Sequence, residues 1–264
     1  MGLFDFFKKK NENPPQSQSK FIPENKLEEV LMKAAKEASY RAEFYRQLMD
    51  SELIVITDGR SGKEGTHTLE KNTTVNIVTS KDGKMPVFSS TKRIFDKGII
   101  KEQVNFMGMN AKSLFELTKG TTLFLNPYSD YGKELLPHEI DQLLDGSIFE
   151  HAKTITVQKE TKVQIGQPAD YPTELVNSLK QLYSRLTDVN AAYLGWIFDP
   201  NSGQPPHYII GIDAKNDFQN ICRDSGVTSK YFLKQDEIID FVQIDNESGI
   251  SDYLSKRTKA FYRK

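Results

Sequence analysis

At 264 residues the chain is long for a single core, so two domains are expected. Thirty-five basic residues offset 36 acidic ones, and a net charge of −1 without long Lys/Arg clusters argues against a general nucleic-acid binder. One cysteine, Cys222, excludes an intramolecular disulfide and fits a reducing compartment, and no apolar run approaches the ~20 residues of a membrane helix.

The start, Met1 to Lys8, lacks a basic n-region and a long apolar core, which argues against a signal peptide and for the cytoplasm. Residues 1–24 read as a disordered tail, with Lys, Asn, Gln, Ser and Pro dominating 8–20. Leu3, Phe4 and Phe7 followed by Lys8-Lys9-Lys10 leave weak membrane contact through residues 2–10 open. Order is expected from Asn25, which with Glu28 has capping-box spacing. Leu27, Val30, Leu31, Ala34, Ala38, Tyr45 and Leu48 then predict one helix to about Met49. A strand over Leu53–Ile56 follows. Val75–Val78 and Met85–Phe88, flanking Lys81-Asp82-Gly83-Lys84, predict a hairpin. A helix around Ala111–Leu117 and a strand over 122–125 complete a first domain spanning 25–152.

A second domain is expected over 153–264. Thr154–Val157 and Val163–Ile165 alternate like strands. Pro172 suits the first residue of a helix with Leu175, Val176, Leu179, Leu182, Tyr183 and Leu186 on one face. Strands over Ala191–Phe198 and Tyr208–Ile212, a helix around Asp217–Asp224, a strand near Ile238–Ile244 and a final helix from Ser251 follow. Without a βαβ rhythm, the fold class is α+β: two mixed domains in tandem, each a small sheet with packed helices.

Little in the chain has the pattern of reaction chemistry. The Gly59–Lys63 loop has two residues where a phosphate-binding loop needs four, and Glu64 follows Lys63. His67, His138, His151 and His207 share no ligand spacing, so no metal or other cofactor is expected and exposed positions are the default. Cys222 shares a helical face with Phe218 and Ile221, as a core residue would. Trp196 lies in a strand apolar enough to fill a sheet core.

The most informative stretch is Leu125 to Pro137. Asn-Pro and Ser-Asp-Tyr-Gly are turn chemistry, which predicts an exposed loop entering a helix at Pro137. The turn explains Asn126, Pro127, Gly132 and Pro137 structurally. Tyr128, Asp130, Tyr131 and Lys133 are left for recognition, since tyrosines beside charges in turns are typical of contact surfaces. Asn126, Tyr128, Asp130, Tyr131 and Lys133 are therefore the candidate binding residues, and no catalytic residue is assigned.

These motifs also resemble a family. The helix ending in Phe44-Tyr45, Pro86-Val87-Phe88-Ser89-Ser90, and Leu125-Asn126-Pro127 through Gly132-Lys133-Glu134-Leu135 to Leu143-Leu144 occur in the order of the first domain of the bacterial SseB-like, or enhanced-serine-sensitivity, proteins. Ile165-Gly166-Gln167-Pro168, Val189-Asn190-Ala191-Ala192-Tyr193 and the closing Phe261-Tyr262 resemble the second domain. The long polar stretch Gly59–Thr73 and the Phe-rich start depart from the pattern. The resemblance implies a link with serine sensitivity but no reaction. The expected function is cytoplasmic, non-catalytic binding of a protein partner. The alternatives are an enzyme or small-metabolite sensor in amino-acid metabolism with a pocket between the domains, or an immunity-type protein that neutralises a partner.

Overall fold

The computed structural model describes residues 21–58, 74, 76–149, 163–234, 237–245 and 249–264. The chain divides into two compact units, one of Met1–Lys36 with Glu43–Ser147, the other of Glu37–Ala42 with Ile148–Lys264. Each is a mixed α+β structure around its own five-stranded sheet. The expected strand at 154–157 lies outside the described residues.

In the first unit, helix α1 (Lys26–Lys36) buries Leu27, Val30, Leu31 and Ala34, the face its spacing predicts. Asn25 Oδ1 accepts the Glu28 N–H at 3.0 Å, while Glu28 Oε2 reaches one residue beyond the usual box to accept from Glu24 N–H at 2.8 Å. The single helix predicted to Met49 is interrupted. Glu37 is extended (φ −132°, ψ 119°), Ala38–Tyr40 form a 3₁₀ turn, and α2 (Arg41–Met49) starts afresh. Residues 37–42 belong to the second unit, where the Ser39 carbonyl and hydroxyl both accept from the Arg185 guanidinium, a tertiary demand that an uninterrupted helix would not meet.

Strands β1 (Glu52–Ile56) and β2 (Met85–Phe88) are followed by the short helix α3 (Thr91–Ile94), β3 (Phe106–Asn110), α4 (Ala111–Leu117), β4 (Leu123–Leu125), β5 (Lys133–Leu135) and α5 (Pro137–Asp145). The sheet order is β3-β1-β2-β4-β5, with β2–β4 parallel and the other pairs antiparallel. The expected hairpin is not formed as predicted. Its turn exists, with Gly83 at φ 78° and its N–H on Ser80 O at 2.9 Å. However, β2 is buried throughout and flanked by β1 and β4, so Ile77 bridges Thr57 instead.

In the second unit, β6 (Gln164–Gly166), α6 (Thr173–Arg185), β7 (Val189–Phe198), β8 (His207–Ala214), α7 (Phe218–Ser229), β9 (Ile239–Gln243), α8 (Gly249–Arg257) and β10 (Tyr262–Arg263) follow in order. The sheet runs β10-β7-β8-β9, with β6 also on β7. Ala192, Leu194, Ile210 and Ile212 pack on one face with Leu175, Leu179, Tyr183 and Ile221 of α6 and α7. On the other face Leu254 of α8 packs with Ala191 and Tyr193. A Cβ at Gly195 would come within 2.9 Å of Leu254, and one at Gly211 within 2.6 Å of Ile244 and 2.8 Å of Leu254, so glycine on both strands lets α8 pack close without displacing those side chains.

Candidate binding site

The stretch from Leu125 to Leu136 is a compact hairpin rather than an open loop, with Leu125 paired to Lys133 across β4 and β5. Asn126 adopts φ 50°, a left-handed conformation that Asn tolerates better than most residues. It is fully buried. Its N–H donates to Val87 O at 2.8 Å, its Oδ1 accepts the Ser89 N–H at 2.9 Å, and its Nδ2 donates to Ser89 Oγ at 2.8 Å. Gly132 closes the turn, because a Cβ there would lie 2.7 Å from Asn126 O.

From Ser89 a polar network continues inward. Its hydroxyl and that of Ser90 donate to Glu28 Oε1, each at 2.8 Å, while Arg93 Nη2 lies 3.0 Å from Glu28 Oε2. Burial raises the Glu28 carboxyl, but hydrogen bonds from Arg93, the Glu24 amide, Ser89 and Ser90 outweigh it and hold the group below its ordinary value. Arg93 also pairs with Asp96 at 3.0 Å, and Asp96 accepts from the Ser129 hydroxyl. The Arg93 guanidinium lies 4.1 Å above the Phe21 ring, which meets Tyr131 edge-on at 5.0 Å.

Two candidates expected at the surface are therefore interior. Asn126 is structural as described. Lys133, expected to face solvent, is buried because Glu139 of α5 receives its ammonium at 2.8 Å and the Tyr45 hydroxyl donates to the same carboxylate at 2.6 Å. Tyr131 is half-buried against Phe21. Asp130 is exposed and pairs with Lys97 at 2.8 Å.

Tyr128 is half-buried and packs tilted against Phe88, with ring centroids 5.6 Å apart. It also lines an open groove of about 700 Å³. Ile56, Pro86, Ile100 and Val104 provide apolar walls, and the rim carries Ile99, 61% exposed, and Val78, 40% exposed. Asp58, Lys101, Glu102 and Gln103 add polar groups. Of the five candidates, only Tyr128 lines it. The 99–105 segment and the Glu28–Arg93–Asp96 network carried no signal beyond isolated apolar and charged residues, since neither has a repeat spacing.

In the second unit Cys222 is buried, as its helical face predicts, and burial pushes its thiol up to about 12. Trp196 is half-buried and meets Tyr208 edge-to-face at 4.8 Å. His207 departs from the exposed default. It is 5% exposed, with Nε2 2.9 Å from Asp240 Oδ2 and Nδ1 2.7 Å from Pro205 O. Asp240 raises the His207 pKa, against a smaller opposing effect of burial. His138 is exposed, whereas His67, His151 and the Gly59–Lys63 loop lie outside the described residues. Among the described residues no cluster of His, Cys, Asp and Glu could hold a metal, and no helix is long and apolar enough to cross a membrane.

The geometry defines a two-unit α+β protein with buried ion pairs and an open apolar groove on the first unit. Residues 27–142 match the SseB protein N-terminal domain and residues 157–264 the SseB protein C-terminal domain, so the chain belongs to the SseB family. It is 28% identical over 245 residues to Protein SseB of Escherichia coli K12 and to Protein SseB of Shigella flexneri, covering 91% of this chain and 92% of each relative. No solved structure matches the chain.

Proposed function

We propose that this SseB-family chain is a non-catalytic cytoplasmic protein that binds a protein partner through the groove beside Tyr128, in a role connected with serine sensitivity. The observation that carries the reading is the groove itself: about 700 Å³, open, with Ile99 and Val78 exposed on a rim that also carries polar groups. An apolar centre with a polar margin is the arrangement of a protein contact surface. The buried charges of the first unit are committed to one another, Glu28 with Arg93 and Lys133 with Glu139, and contribute to the fold, while Lys101 and Glu102 remain at the groove for a partner. The lone cysteine, Cys222, is buried with a raised thiol pKa, which suits packing better than nucleophilic attack.

The test is affinity capture from native lysate with the full chain, comparing wild type with Ile99→Glu and Val78→Lys. Retained melting temperatures with at least ~tenfold lower recovery of a wild-type partner support the reading, a loss of about 1.4 kcal/mol in binding. Equal recovery by both variants removes the groove from the function.

A further inference from the structure

The geometry points to strand addition at β3: its free edge receives an extended segment of a partner protein that carries an apolar residue and a Lys or Arg two positions apart. This inference rests on the protein-binding reading and supplies its mode. Among the described residues β3 stands at one end of its sheet with its outer edge unpaired. The Thr57 N–H donates to Asn105 O at 2.9 Å and the Ala111 N–H to Ser51 O at 2.9 Å, which fixes the ladder's parity. Odd-numbered residues face β1, so Phe106 and Gly108 direct their N–H and C=O groups outward, as Asn110 does its N–H, while the Asn110 C=O caps α4.

An outward ladder of this kind is a template for another strand, and folds ordinarily blunt it with charge or proline. The strands at the ends of the two sheet paths otherwise carry a charge, Lys133 and Glu134 in β5, Asp240 in β9 and Arg263 in β10, while the other uncharged edge, β6, is only three residues long. β3 reads Phe-Met-Gly-Met-Asn, with no charge, no proline and Phe106 48% exposed. It also continues directly from Gln103, Val104 and Asn105, which line the groove, so a strand pairing with β3 runs on into that groove.

The charge of the occupant follows from Glu52. Its side chain lies across Gly108, with Oε1 2.3 Å from where a Cβ would stand. A second copy pairing antiparallel about Gly108 would bring two Glu52 carboxylates together at the centre, which is unfavourable. A partner strand with Lys or Arg opposite Gly108 is favoured there. Its neighbour two residues away lies on the same face beside Phe106.

The test is amide NMR of the full chain titrated with the capped peptide Thr-Ile-Ser-Lys-Thr-Ile-Ser and its Lys-to-Glu counterpart. The expected result is saturable shifts at Phe106, Gly108 and Asn110, weakened at least ~tenfold by the Glu peptide, a loss equivalent to about 1.4 kcal/mol. Gly108→Pro, which removes an outward donor and pushes the Glu52 side chain aside, and Glu52→Gln, which removes the charge alone, should each weaken the Lys peptide. Shifts at Val78, Ile99 and Tyr128 alone would keep the groove and overturn strand addition. No shift at millimolar peptide overturns the edge inference, and the groove then stands or falls on the capture experiment. Concentration-dependent dimerisation through Gly108 without peptide would also overturn it, by making the occupant a second copy.

Discussion

Lys133 and Glu139 are six residues apart, one at the start of a short strand and the other in the next helix, and their charges meet at 2.8 Å in the interior of the first unit. Desolvating both charges consumes much of their attraction, so the pair secures the placement of β5 against α5 more than it adds net stability.

Removing one partner exposes that balance. Lys133→Met leaves the Glu139 carboxylate buried with only the Tyr45 hydroxyl and should cost about 3–5 kcal/mol, whereas Lys133→Met with Glu139→Leu should fall well short of that loss. Tyr45→Phe should cost about 1.5–3 kcal/mol, the worth of a hydrogen bond to a charged group. Urea denaturation followed by far-ultraviolet circular dichroism checks all three.

Gly132→Ala should destabilise the first unit by about 1–3 kcal/mol, since the new Cβ meets backbone oxygens of Leu125 and Asn126 that cannot step aside. Asp130→Ala, which loses an exposed pair with Lys97, should cost no more than about 1 kcal/mol. Comparing the two melts separates the turn's backbone requirement from its surface charges.

Glu28 is held below its ordinary value of 4.5, so the stability it contributes is present above about pH 4.5 and lost as pH falls through the lower native value. Glu28→Gln should therefore be less stable than wild type at neutral pH, with the gap narrowing in acid. Denaturation midpoints at several pH values read this directly, and a gap independent of pH would contradict it.

His207 has the opposite sign. Its pKa is raised above 6.5, so its contribution is complete in mild acid and disappears as pH rises through the native value. Both ring nitrogens face acceptors, Asp240 and the Pro205 carbonyl, and only the imidazolium donates to both. An NMR titration should place the His207 midpoint above the ordinary histidine value of 6.5. His207→Gln should abolish the corresponding fall in stability toward alkaline pH.

Strong periodicity was readable directly. Leu27, Val30, Leu31 and Ala34 repeat at helical spacing and lie in α1. The uncharged cores of Ala191–Phe198 and Tyr208–Ile212 have few alternatives to paired strands, and they form β7 and β8. β3 escaped notice because Phe-Met-Gly-Met-Asn shows no alternation of apolar and polar residues, and Gly108 weakens any strand preference. Lys133 was misplaced for a different reason. A lysine beside a glycine in a turn reads as solvated, and its burial depends on Glu139 and Tyr45, whose approach local sequence does not encode. His207 was misread likewise, because Asp240 arrives from a strand paired in parallel, 33 residues later. Of the proposed groove, only Tyr128 could be picked out, through the density of turn residues around it.

The chain has one tryptophan, Trp196, seated on Tyr208 in the second unit. Its fluorescence is therefore an optical reporter of that unit alone, while circular dichroism sums the helices and strands of both. If the units unfold independently, the two signals give separate midpoints. Variants of the first unit such as Lys133→Met would then shift the dichroic transition and leave the fluorescent one in place. If the curves superimpose in every variant, the chain behaves as one cooperative body, and a destabilised groove would be felt in the emission of a residue that takes no part in it.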